Sequence, residues 1–250
     1  MTPDSSTYDG LDAVRLAAAC GVPAVVLFDR VGSTLDVAHA QAAAGAPAGT
    51  LILADEQTAG RGRQGRNWVS ESGAGIWLTL IERPGDSRAV QVLSLRLGLH
   101  AAQALDDFAP ARVGVKWPND LYVQRRKLAG ILVEARWREG TVDWIAVGFG
   151  INVQAPRGMP GAAALRPGVQ RMEVLTRLVP ALRSAAEQRG ELLAGECEHY
   201  ASRDVVRGRR CREPAVGTVA GIDATGALLV QTPSGLQVFR AGSLVLEEEM

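Results

Sequence analysis

The chain has 250 residues, with 27 Lys and Arg against 27 Asp and Glu, so its formal charge of zero leaves no global attraction for nucleic acid or an anionic membrane surface. Apolar residues make up 47% and charged residues 22%, the balance of an ordinary globular chain long enough for one large domain or a domain with a small companion. Cys20, Cys197 and Cys211 stand far apart with no C-x-x-C spacing, and His39, His100 and His199 are equally scattered, so neither a metal site nor a disulfide framework is expected and a reducing cytoplasm is.

A helix is expected over 11–20 and a short apolar strand, "AVVLFD", over 24–29. Ser33 with Asp36 three places on reads as a capping-box start for a helix that runs to Gly45. "GTLILADEQ" (49–57) is a strand leading into a glycine- and arginine-rich loop, and "GIWLTLIE" (75–82) alternates as another. Val92, Leu95, Leu99, Ala102 and Leu105 recur at helical spacing within 88–108. Four strand-like runs follow at 112–117, 121–123, 128–137 and 142–153, then a Pro- and Gly-rich loop at 154–168 and helical spacing over 171–194. From about 205 the chain turns to short strands, 216–223, 227–232, 236–241 and 243–248, separated by turn signals such as Pro233-Ser-Gly235, which predicts a small all-β unit. The basic run "RGRRCRE" (207–213) is a linker or its first strand. The whole reads as an α+β arrangement, helices on a mixed sheet, followed by a small barrel. Met1 leads into no basic-then-apolar segment, and no apolar run approaches the roughly 20 residues a spanning helix needs, so no leader peptide and no membrane contact are expected.

Four stretches invite a chemical reading. "TAGRGRQGRNW" (58–68) sets Arg61, Arg63 and Arg66 among glycines, after Gln57 at a strand end. Guanidinium forks and approachable backbone amides suit an anion; a solvated loop or an RNA-binding segment are the rival readings. "KWPND" (116–120) presents Asn119 and Asp120 from a proline turn, which alone is plain turn chemistry. "KLAGILVE" (127–134) opens an apolar strand with Lys127, which needs an anionic partner or water, and leaves the backbone bare at Ala129 and Gly130. "GFGIN" (148–152) ends a strand on two glycines and Asn152; it precedes a loop rather than a helix, unlike a dinucleotide fingerprint.

In this order and spacing, Ser33-Thr-Leu-Asp36, "EQTAGRGRQGRNW", "KWPNDL", "KLAGILVE" and "GFGINV" resemble the biotin protein ligases. The resemblance covers most of 28–153, and the C-terminal strands also fit. It implies a mixed-sheet, class II aminoacyl-synthetase-like catalytic domain over 1–204 and an SH3-like domain over 205–250. It implies activation of biotin by ATP to biotinyl-5'-AMP, with Mg²⁺, and transfer to a lysine of the biotin carboxyl carrier domain of acetyl-CoA carboxylase or a related carboxylase. By position, Ser33, Thr34, Gln57, Arg61, Gly62, Arg63, Lys127 and Gly130 are expected at the biotin. Arg63, Arg66, Trp68, Asn119, Asp120 and Asn152 are expected at the nucleotide, with Trp68 beneath or beside the adenine. Lys127 and Arg63 are expected to serve the chemistry, and Asp120 to help deprotonate the acceptor amine. Leu35 departs from the family's usual Asn, and Gln64 takes a place often held by a basic residue. Only 27 residues precede Phe28, too few for a helix-turn-helix unit, so the short form that binds no DNA is expected; monomer and homodimer stay open. The rivals are a lipoate-type ligase of related fold and a non-catalytic RNA-binding protein.

Overall fold

The computed structural model describes residues 5–248. Its centre is a seven-stranded sheet in the order β1-β2-β3-β7-β6-β5-β4, formed by Val25–Val31, Leu51–Gln57, Gly75–Glu82, Gly114–Lys116, Asp120–Val123, Arg126–Arg138 and Thr141–Asn152 as β1 to β7. The pair β1–β2 is parallel and the other neighbours are antiparallel, which is the mixed sheet expected.

Strand alternation divides the core in two. Leu51, Leu53, Ile76, Leu78, Leu80, Val147 and Phe149 join the main cluster, with side chains of α1 (Ala13–Cys20), α3 (Ala89–Leu105) and α4 (Arg171–Glu187). Ile52, Ala54, Ile81 and Ala146 join a smaller cluster with α2 (Thr34–Ala43). One face of the sheet is thus sealed by three helices. On the other face a single helix of 10 residues covers β2, β3 and the near end of β7, and the groove described below lies on the remainder.

Ser33 caps α2 as expected, its hydroxyl accepting from Leu35 N at 3.3 Å. Asp36 does not close a capping box; it reaches Arg61 at 3.0 Å. The helix expected over 171–194 ends at Glu187. Gly190 takes φ 66°, its N–H is held by Asp86 at 3.0 Å, and a separate helix α5 (Ala194–Arg203) follows. Glu196 on α5 accepts from the buried Arg96 of α3 at 2.6 and 3.0 Å.

The C-terminal sheet is five-stranded and antiparallel, in the order β11-β10-β9-β8-β12. Its strands β8 to β12 are Arg210–Glu213, Gly217–Ile222, Leu228–Thr232, Gly235–Phe239 and Val245–Leu246. The basic run therefore supplies its first strand. Buried Trp117 donates from its indole nitrogen to Gly226 O at 3.1 Å, which ties the "KWPND" turn to the β9–β10 turn. Among the described residues no helix is long and apolar enough to cross a membrane.

Candidate active site

A cavity of about 590 Å³ opens on the sheet face that α2 leaves uncovered, within the range of small-molecule sites. Its floor follows β7. Gly130 of β6 and Gly150 of β7 are direct cross-strand partners, which strips the pleat of side chains. The indole of Trp68 lies on this bare patch: a methyl group added at Gly150 would stand 2.4 Å from Trp68 Nε1, and one at Gly130 3.0 Å from its Cζ3. Two residues back along β7, Leu35 covers Gly148 in the same way, at 3.1 Å.

On the floor nearest α2 the polar groups are neutral amides and hydroxyls. Thr34 donates to Gln57 Oε1 from its amide at 2.9 Å and its hydroxyl at 3.0 Å, and its hydroxyl accepts from Thr79 at 2.8 Å. Gln57 Nε2 donates in turn to Ser70 at 2.9 Å. Thr34, Leu35 and Gln57 line the cavity. Ser33 is buried behind them as the cap of α2.

The opposite end is cationic. Lys127 Nζ stands 2.8 Å from Asp120 Oδ1 and 5.1 Å from the Trp68 ring centroid. Lys116 packs over Tyr122 at 5.3 Å. Burial pushes the Lys116 ammonium below its ordinary pKa; Asp120 opposes this, and the like charges of Lys127, Arg209 and Arg66 add to it. Burial also lowers Arg63, with Asp120 opposing and Arg66 reinforcing. Positive charge is thus held here under mutual repulsion, which an anion would relieve. Asn119 is pinned to β6, donating from Nδ2 to Ile131 O at 2.7 Å and accepting the Ile131 N–H at 2.9 Å.

The arginine loop folds as a small hairpin over this end. Arg61 pairs with Asn67, and Gly62 N donates to Arg66 O at 2.7 Å; Arg63–Gly65 forms a single 3-10 turn. Its tip rests on the loop between β11 and β12. Arg63 donates to Gly242 O at 3.2 Å and lies 3.5 Å from Asn119 Oδ1, and Arg66 donates to Ser243 at 3.1 Å. Arg61 turns the other way, to Asp36 at 3.0 Å and Glu134 at 3.1 Å. Asn152 sits behind the wall: it donates to Ala163 O at 3.1 Å and Lys127 O at 3.4 Å, holding the 153–165 loop against β6.

Residues 27–152 match the model of the biotin/lipoate A/B protein ligase family, and 206–246 match that of the biotin protein ligase C-terminal domain. This chain belongs to the biotin protein ligase family. The biotin–[acetyl-CoA-carboxylase] ligase of Mycobacterium tuberculosis is 34% identical over 237 residues, covering 86% of each chain. The bifunctional ligase/repressor BirA of Bacillus subtilis is 39% identical over 138 residues, 54% of this chain and 42% of that one, so the chain spans less than half of that relative's length. The biotin protein ligase of Aquifex aeolicus, solved in complex with biotin and ATP, aligns with a TM-score of 0.69 at 25% identity over 89% of this chain and 98% of that one.

The groove has Thr34, Gln57, Arg61, Gly62, Arg63, Arg66, Trp68, Asn119, Asp120, Lys127 and Gly130 on its lining. Ser33 and Asn152 instead support the wall. Lys116, Gly150 and the 242–245 segment also line it, though none is among the residues expected at either ligand. The pairing of two strand glycines at 130 and 150 was the available signal for Gly150. Nothing local marks Gly242 and Ser243, which reach the site only through the fold.

Proposed function

We propose that the chain condenses biotin with ATP and passes the biotinyl group to a lysine of a carboxylase carrier domain. The observation that carries this reading is the polarity of one groove, with neutral amide and hydroxyl partners on the floor at one end and Lys116, Lys127 and Arg63 about Asp120, with Arg66 beside them, at the other. A ureido ring attached to an apolar chain that ends in a carboxylate fits that order.

In the first step a biotin carboxylate oxygen attacks the α-phosphorus of ATP. A C(O)–O–P bond forms, the α–β P–O bond breaks, and pyrophosphate leaves with the electron pair. Two anions must meet, so preorganised cations are what the step requires. We assign Lys127 to the carboxylate and α-phosphate, Arg63 and Arg66 to the phosphates, and Gln57, Thr34 and the Gly130 backbone to the ring. Trp68 lies midway along the floor, over glycines, which supports a wall for the aliphatic chain of biotin rather than an adenine platform. Its buried indole N–H finds no acceptor among the described residues, and a buried donor left so favours a ligand that offers one. In the second step the lysine amine attacks the acyl carbon, AMP leaves, and the amine proton is taken up; Asp120, already 2.8 Å from one ammonium, is the carboxylate we assign to it.

Magnesium enters this reading as the counter-ion that ATP brings. Among the described residues no three carboxylate, histidine or cysteine side chains are placed to hold a metal ion together, and Mg²⁺ held by phosphates and waters needs no such cage. We place recognition and activation in 1–204 and the cap over the arginine hairpin in 205–250. The three cysteines are free, which fits a reducing cytoplasm. The test is pyrophosphate release from ATP by the purified protein. Release that depends on biotin supports the reading; release with lipoate instead, or none with either, overturns it.

A further inference from the structure

The hairpin has a second anchor, completed by two residues outside the motifs, His39 and Trp144. Trp144 of β7 donates from Nε1 to His39 Nδ1 at 3.0 Å, and His39 Nε2 lies 2.8 Å from Glu134 Oε2. The same oxygen accepts from Arg61 at 3.1 Å, and Arg61 also reaches Asp36 at 3.0 Å. An indole N–H can only donate, so Nδ1 must accept and the ring proton must sit on Nε2, directed at the carboxylate. His39 and Asp36 lie one turn apart on α2, the helix whose N-terminus supplies Thr34 to the neutral floor of the groove. Arg61 is the strand-like base of the arginine hairpin, paired with Asn67.

The geometry points to His39 as a positioning residue. Through its Nε2–H it fixes the Glu134 carboxylate on Arg61, and so sets the near wall of the hairpin over the neutral floor of the groove. The tip is held separately, by Gly242 and Ser243, so the two anchors act on different parts of the site. The near wall serves biotin, while the chemistry belongs to Lys127 and Arg63 at the far end. Loss of His39 therefore raises the KM for biotin and leaves kcat alone. Shared acceptors of this kind couple their donors, so His39 and Glu134 should act as one unit.

This inference rests on the ligase reading for its kinetic arm only. The variants are His39→Ala, His39→Gln, Glu134→Ala and the double alanine variant, in biotin-dependent pyrophosphate release, with thermal melting to confirm folding. We expect His39→Ala to raise KM for biotin about tenfold, the change that loss of one modest hydrogen bond produces, with kcat within about twofold. His39→Gln, which offers an amide donor to Glu134 and a carbonyl to Trp144, should restore most of it. In the double variant the two effects should not add. Unchanged KM in His39→Ala, no rescue by Gln, or full additivity overturns the proposal. Nitrogen NMR of the imidazoles, assigned with His39→Gln, reads the tautomer without any substrate: protonated Nε2 is expected, and protonated Nδ1 overturns the proposal. A wild-type protein inert toward biotin, with the Nε2 tautomer present, would count against the ligase reading and leave the network standing.

Discussion

Adding one methyl group to the floor of the groove separates the site from the fold. Gly150 and Gly130 lie in strands at ordinary backbone angles, so alanine meets no conformational penalty there. The obstacle is the Trp68 indole, 2.4 Å from a Cβ at Gly150 and 3.0 Å from one at Gly130. Carbon contacts prefer about 3.5–4.0 Å, so Gly150→Ala must displace the ring by more than an ångström and Gly130→Ala by roughly half of one. Overfilling of this kind costs about 1–3 kcal/mol. The ring is carried by a surface hairpin that can yield, so the cost falls on ligand binding rather than on folding. Calorimetry with biotin should show a loss of about 100-fold for Gly150→Ala and nearer fivefold for Gly130→Ala, from the same range of energies. Melting temperatures should stay within a few degrees of wild type. Wild-type affinity in Gly150→Ala, or the reverse ranking of the two variants, would refute the placement of Trp68 as a wall of the biotin seat.

Lys127→Ala should lower adenylate formation about 10²- to 10³-fold, as for loss of one preorganised charge donor, without lowering the melting temperature; turnover near wild type in a pyrophosphate assay would contradict this. Arg63→Gly removes the contacts to Asn119 and Gly242 and should release biotinyl-adenylate roughly 10- to 150-fold faster, seen as biotin on a bystander protein that has no carrier domain; no labelling in a variant that still forms adenylate would refute it. Burial raises Asp204 to about 6 against the partial relief of hydrogen bonds from the Val206 and Arg207 backbones. The native state therefore holds a proton there that the unfolded chain gives up near 3.8, and this group's contribution to stability falls as pH rises from about 4 to 6. A rise of about two in pKa is worth roughly 3 kcal/mol as an upper bound, so Asp204→Asn should raise the melting temperature at pH 7.5 and leave it unchanged at pH 4; equal shifts at both would be inconsistent with titration of Asp204.

The sheet was legible because its strands carry their own period: 75–82 and 142–153 alternate between the two halves of the core, and the structure splits them accordingly. α2 announced itself through Ser33. The break between α4 and α5 did not: the chain leaves helical geometry at Gln188, where no proline or glycine marks it, and Gly190 beyond it is held to Asp86 from a distant loop. α5 depends likewise on the buried Arg96, about a hundred positions away. In the groove, the motifs name many of the side chains that line it but not their directions. Ser33 and Asn152 look like ligand contacts in sequence and are cap and latch in the fold. Arg61 looks like Arg63 and faces a different partner. Those differences come from which wall each hairpin residue meets, and that is set by β6, α2 and the β11–β12 loop together.

On the proposed reading, one groove both activates biotin and delivers it to a single lysine. Intact-mass measurement of a carboxylase carrier domain, incubated with the protein, ATP, Mg²⁺ and biotin, tests it most directly. One biotinyl group per carrier domain is expected, lost when biotin or ATP is omitted and when the acceptor lysine is replaced by arginine. An unmodified carrier domain, or equal labelling of the arginine variant, would contradict it.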